Sequence, residues 1–127
     1  KNGEDPIGLG WEDFKNQDLT LPAHRSRSYA FCSDTSYLES IVPLIQNVDV
    51  LYHESTFLND MKDRAKSTFH STAQQAANIA LLANVDSLLL GHYSARYNSS
   101  IDFENEAKEV FENVKAVEDG DVISIPI

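Results

Sequence analysis

The chain has 127 residues, enough for one domain with its own core, and 42% of them are apolar, which excludes a disordered tail. Twenty acidic against ten basic residues leave a net charge of −10, which argues against a broad nucleic-acid surface, because phosphate binding is mainly neutralisation by Lys and Arg. No apolar run approaches the ~20 residues of a membrane span, and a single cysteine, Cys32, rules out an internal disulfide and favours an intracellular setting.

Lys1–Arg27 is rich in Gly, Asp, Asn and Pro and reads as a loop or linker, with a short turn around Trp11–Phe14. The first residue is Lys, the one Met is Met61, and no signal-peptide pattern is present, so the expectation is a piece of a longer protein. From Ser28 onward strands alternate with helices, which predicts an α/β domain over 28–127 with a parallel or mixed sheet. Ser28–Ser33, Val48–His53 and Ser87–Gly91 are the first three strands. A helix over Leu38–Ile45, opened by Ser36 and Glu39, is shortened or broken by Pro43. A second capping box, Ser71 with Gln74, opens a helix whose Ala73, Ala76, Ala77, Ala80 and Leu81 share one face. The longest helix starts at Asp102 and buries Phe103, Ala107, Val110, Phe111 and Val114. After a turn at Glu118–Asp121, Val122–Ile127 is a terminal strand, and Pro126 puts it at an edge. The acidic stretch Asp102–Glu112 reads as a solvated helix face.

Each of the first three strands ends on a polar residue able to do chemistry. Asp34, Glu54 and His92 follow the three apolar runs, and in open α/β sheets such residues converge on one crevice. Asp34 is either a helix cap or a carboxylate able to bridge two cations. His92 is either a hydrogen-bonded edge residue or a metal ligand. Gly91 permits a close backbone turn beside it, and Ser94 and Arg96 add anion-binding groups. Glu54 can orient His70 as a general acid or base if their loops meet. His53 points to the opposite strand face and reads as structural, His24 has no role beyond its loop, and Cys32 reads as a buried, inert thiol. Arg25, Arg27, Lys62, Arg64, Lys66 and Arg96 form a local basic rim in this reading.

The strings "FCSDT", "LYHESTF", "FHST" and "GHYSARY", in this order, resemble the C-terminal half of ribonuclease Z, the tRNA 3′-processing endonuclease family of the metallo-β-lactamase superfamily. The resemblance runs from about Arg25 to the end. It implies half of an αββα sandwich with one mostly mixed sheet and flanking helices. It also implies a zinc phosphodiesterase holding two zinc ions, with precursor tRNA as substrate, a homodimeric assembly and a cytoplasmic setting. By position, Asp34 resembles the zinc-bridging aspartate and His92 the last histidine ligand. Glu54 resembles the acid of the family's His-Glu-Ala-Thr loop, with Ser55 in place of Ala, and His70 the histidine that protonates the leaving 3′ oxygen. Ser94 and Arg96 would hold the phosphate or the 3′ end. The family's His-x-His-x-Asp-His motif occurs nowhere in the 127 residues. The segment alone is therefore expected to bind zinc weakly, to leave RNA uncut and to self-associate through a bare sheet face. Two rivals stand beside this reading: another hydrolase of the superfamily, and a non-catalytic structural half.

Overall fold

The computed structural model describes residues 4–5, 10, 15–21 and 23–125. Four strands, β1 (Tyr29–Cys32), β2 (Val50–Glu54), β3 (Ser87–Gly91) and β4 (Val114–Ala116), form one sheet whose spatial order repeats the chain order. All three pairings are parallel, so the sheet is wholly parallel among the described residues where a mostly mixed one was expected. The difference lies in the last strand. Residues 122–125 are irregular, Val122 is 91% exposed, and residues 126–127 lie outside the described residues. The edge position is filled instead by β4, which pairs Val114 with Leu88 and Ala116 with Leu90.

Among the described residues four helices accompany the sheet: α1 (Asn16–Leu19), α2 (Lys62–Ser67), α3 (Ala73–Leu82) and α4 (Ile101–Lys108). The short α1 falls in the expected loop, while the expected turn at Trp11–Phe14 lies outside the described residues. Pro43 leaves only a 3₁₀ turn, Glu39–Leu44, in place of the first predicted helix. The longest helix is α3, because the chain leaves α4 after Lys108 and reaches Val114 as a strand residue. The alanine stripe of α3 is buried as expected at Ala73, Ala76, Ala77 and Ala80, but Leu81 faces outward and Ile79 takes its place inside. Small side chains there let α3 lie close to β2 and β3.

The helix-facing side of the sheet carries Leu51, Leu88 and Leu90, packed with α3 and with Phe103 of α4. Phe103 is fully buried between the rings of Tyr93 and Tyr97. Two acids of α4 are structural rather than part of a purely solvated face. Glu106 accepts from the amides of Asn59 and Gln74, the latter in the first turn of α3, where a negative charge suits the helix dipole. Glu104 accepts from the Ala116 amide of β4. On the opposite sheet face Val50 and Leu89 are buried, and the exposed part is the β1 edge. Tyr29 and Phe31 are 53% and 63% exposed, and Phe31 stacks on Tyr52 at 4.6 Å. A wholly bare apolar sheet face was expected of half a sandwich, and the exposure is confined to this aromatic edge.

At the amino end of the sheet, buried Asp49 ties β1 to β2. It accepts from Arg25, from the Ser28 amide at 2.7 Å and from Ser28 Oγ at 2.7 Å. Arg25 and Arg27 are thereby committed to structure, Arg27 donating to the Ile125 carbonyl, and neither joins the expected basic rim. Hydrogen bonds from Arg25 first, and then from Ser28, hold the Asp49 carboxyl well below its ordinary range. A carboxyl held down in the folded state stabilises that state above its unfolded value of about 3.9, and the gain is lost as the pH falls below it. Asp49→Asn is expected to melt at lower temperature than wild type at neutral pH and to show a smaller further drop on acidification to about pH 3. Thermal melts across that range check this, and coincident curves for the two proteins would contradict it.

Candidate metal centre

All three strand-end residues arrive on one rim. Asp34 follows β1, Glu54 ends β2 and His92 follows β3, and the parallel register that sets Glu54 against Gly91 brings the loops together. The backbone turns sharply at these positions, with φ of 49° at Asp34, 61° at His92 and 62° at Phe69, just ahead of His70. Left-handed φ costs a non-glycine residue about 1–2 kcal/mol and gathers at functional sites. The turn beside His92 is made by the histidine itself, since Gly91 has no positive φ. Glycine is required at 91 for a different reason: an added Cβ would run into the Tyr52 ring and its hydroxyl.

Glu54 is the organising group. Fully buried, it accepts five hydrogen bonds. Oε1 takes the Thr35 amide at 2.9 Å and His70 Nδ1 at 2.7 Å. Oε2 takes the Thr56 amide at 3.2 Å, Thr56 Oγ1 at 2.6 Å and the Ser71 amide at 3.1 Å. Burial pushes its pKa up, but the donors from Thr56, Ser71 and His70 outweigh that and hold it below the ordinary value. The side chain is therefore a carboxylate, an acceptor only.

That charge state fixes two histidine tautomers in turn. His70 must donate from Nδ1 to Glu54, which leaves Nε2 as its free ring nitrogen. Thr56 spends its one hydroxyl proton on Glu54, so at 2.8 Å it must accept from His92 Nδ1. His92 then turns Nε2 toward Asp34 Oδ1, 3.2 Å away. A ring lone pair and a carboxylate oxygen repel at that distance unless a cation or a second ring proton lies between them. One ligand atom each from Asp34, His70 and His92 lies within 4.8 Å of the others, and the rings of His70 and His92 are 5.3 Å apart. Two imidazoles and a carboxylate, with their far nitrogens held by outer partners, fit a borderline divalent ion such as zinc. Three protein donors complete one catalytic ion and fall short of two.

Ser94 and Arg96 lie on the same rim. The Ser94 amide donates to the Thr56 carbonyl at 3.0 Å, Arg96 Nε donates to Ser94 Oγ at 3.2 Å, and its guanidinium sits 5.2 Å over the Phe57 ring. Phe57 in turn contacts the His70 ring edge-on. His53 lies on the helix side, fully buried, and burial keeps its pKa down, as a structural residue requires. Cys32 is half-buried with its thiol pKa pushed up by burial, which keeps it unreactive. Thr56 went unread in the sequence, although Glu54-Ser55-Thr56 places a hydroxyl two residues from the acid, on the same side of an extended chain.

No family model matches the chain. It is 46% identical to ribonuclease Z of Parabacteroides distasonis over 125 residues, which is 98% of this chain and 41% of that protein. It is 53% identical to ribonuclease Z of Porphyromonas gingivalis over 96 residues, 76% of this chain and 32% of that one. Among solved structures it superposes on the metallo-beta-lactamase fold protein YhfI of Bacillus subtilis with a TM-score of 0.65 and 30% identity, covering 70% of this chain and 36% of the other. Human tRNase Z, short form, superposes with a TM-score of 0.55 and 38% identity, covering 68% and 28%. A parallel sheet with an Asp-His-His cluster at its carboxyl edge, and these likenesses, define a metallo-β-lactamase-fold protein, a class that implies a metal cofactor. Within that class the chain belongs to the ribonuclease Z family, whose carboxyl-terminal part it represents. It spans about two fifths or less of the length of these curated relatives.

Thr56→Val keeps the shape of the side chain but cuts the link from Glu54 to His92. In the full-length protein carrying this segment, it is expected to weaken metal binding about 10- to 100-fold. Competition with a metal chelator measures this, and an unchanged affinity would remove Thr56 from the support of the site.

Proposed function

We propose that the full-length protein is a zinc-dependent endoribonuclease that removes 3′ trailers from precursor tRNA by phosphodiester hydrolysis. The observation that carries this reading is the Glu54–His70 pair at 2.7 Å, set beside the Asp34–His92 pair at 3.2 Å. A hydrolase needs a metal grip and a separate proton donor, and the two pairs supply one each. Both tRNase Z likenesses, the ribonuclease Z sequences and the human short form, support the substrate class.

Asp34 would hold the metal through its carboxylate and His92 through Nε2, with further ligands from outside this segment. Bound zinc supplies a water of lowered pKa and neutralises charge that develops on the phosphate. His70, bonded to Glu54 through Nδ1 and carrying a second proton on Nε2, would give that proton to the departing 3′ oxygen as a water-derived hydroxide bonds to phosphorus and the P–O bond breaks. The tRNA body then leaves with a 3′-hydroxyl. Glu54 offsets the positive charge of the protonated ring, keeps its plane fixed and never needs to leave its donors. Ser94 and Arg96, on the same rim, would meet the phosphate, with Phe57 holding the Arg96 guanidinium in place. Residues 1–27 act as a connection into the half-domain of 28–127. A homodimer and a cytoplasmic setting accompany the reading. Among the described residues no helix is long and apolar enough to cross a membrane.

His70 lies close enough to Asp34 and His92 to be a third ligand instead of a proton donor. His70→Ala in the full-length protein separates the roles. A proton donor predicts a loss of about 10²–10⁴ in turnover of precursor tRNA with zinc content intact. Loss of zinc from the purified variant would make His70 a ligand, and unchanged turnover with unchanged zinc would remove it from the mechanism. The rival hydrolase reading is tested in parallel by competing precursor tRNA against a small phosphodiester on the wild-type protein. Failure of the RNA to compete would shift the substrate class.

A further inference from the structure

Beyond His70, away from the His92 side, the rim opens into a cavity of about 540 Å³, within the range of sites for small organic ligands. Its walls include Tyr37 from the loop after β1, Lys62, Asp63 and Lys66 from α2, and Phe69 with His70 from the following turn. None of these residues has a part in the metal cluster or the proton relay except His70.

Three features of this hollow point the same way. Lys62 and Lys66 are one helical turn apart on the same side of α2, and both are exposed. Among the described residues neither lysine makes an ion pair, whereas Arg25, Lys108 and Lys115 all do. In a chain of net charge −10, two uncommitted lysines against the single Asp63 make this wall locally cationic. Phe69 is 75% exposed and sits at φ 62°, a conformation a bulky side chain rarely adopts, fixed by the His70 amide on the Ala65 carbonyl. An aromatic ring held out to solvent beside paired lysines is the arrangement that binds a single-stranded nucleotide, the ring stacking on the base and the ammonium groups meeting phosphates.

We propose that this hollow receives the nucleotide on the leaving-oxygen side of the scissile bond, the last nucleotide retained by the tRNA body. This rests on the endonuclease reading above, in which His70 protonates the departing 3′ oxygen. The ribose bearing that oxygen must lie against His70, and the base attached to it then faces Phe69 and Tyr37. Lys62 and Lys66 lie where the phosphates upstream of that nucleotide pass. The Tyr37 hydroxyl, whose hydrogen bond to Glu39 pushes its pKa up to about 12, stays protonated.

Two measurements on the full-length protein keep the pocket and the reading apart. The first is binding of a short single-stranded oligoribonucleotide, ending in the acceptor-end sequence with a free 3′-hydroxyl, in a chelator so that no cleavage is involved. Phe69→Ala is expected to bind it about tenfold more weakly, with Phe69→Trp restoring the loss. The double variant Lys62→Gln/Lys66→Gln, which changes only exposed side chains, is expected to lower the salt slope by about 1.4, two single-strand phosphate contacts. Equal affinities and equal salt slopes for wild type and both variants overturn the pocket. The second measurement is cleavage of precursor tRNA, in which the same variants are expected to raise KM rather than lower kcat, and a loss confined to kcat overturns the placement. A wild-type protein that leaves precursor tRNA intact overturns the endonuclease reading instead.

Discussion

The site depends on one buried carboxylate. Glu54 collects donors from the loops after β1, β2 and α2, so three segments far apart in the chain are held by two oxygen atoms. Burying a charge without partners is prohibitive, and here every lone-pair direction is used, which converts the desolvation cost into a demand for a particular loop arrangement. Geometry and charge state reinforce each other: the donors keep Glu54 ionised, and its ionisation dictates which ring nitrogens carry protons. Thr56 extends that control to His92 without a second acid.

The division of labour follows from sheet parity. Along β2 the side chains alternate, so Leu51 and His53 go to the helices while Tyr52 and Glu54 go to the other face. The apolar half of the alternation provides the core, and the remaining half ends on the catalytic rim. At the opposite end of the same strands, Asp49 with Arg25 and Ser28 closes the sheet with a purely structural acid. Two buried carboxylates thus bracket β2, one serving stability and the other the site.

Much of this was legible in the residues, for identifiable reasons. Ser87–Gly91 is a short continuous apolar run between polar turns, the mark of a strand buried on both faces, and its limits match the structure. The meeting of Asp34 with His92 follows from strand ends in a parallel sheet, while that of Glu54 with His70 needs the turn after α2 to fold back onto the end of β2. Where the reading slipped, tertiary contacts decided between local equals. His70-Ser71-Thr72-Ala73-Gln74-Gln75 holds two overlapping capping boxes, and the helix uses Thr72 with Gln75. Ser71 is unavailable as a cap because its hydroxyl donates to the Thr35 carbonyl and its amide to Glu54. Val114–Ala116 is too short for a period of two to show, so it passed for the end of a helix, while Val122–Ile127 displayed the alternation without a neighbour to pair with over 122–125. The commitment of Arg25 to Asp49 depends on a contact across 24 residues that no local pattern announces.

The coincidence of spatial and chain order in the sheet has a consequence for how the protein is made. Every strand docks beside the one synthesised just before it, so assembly can proceed outward from β1 without rearranging what has already formed. Glu54 emerges with only Thr35 and its own loop to satisfy it, and waits for His70 and Ser71 to emerge, 16 and 17 residues later. His92 comes later still, on the far side of β3. A nascent chain therefore has no competent pair of histidines until β1, β2, β3 and α3 have all emerged, with α4 and β4 still to close over the interior.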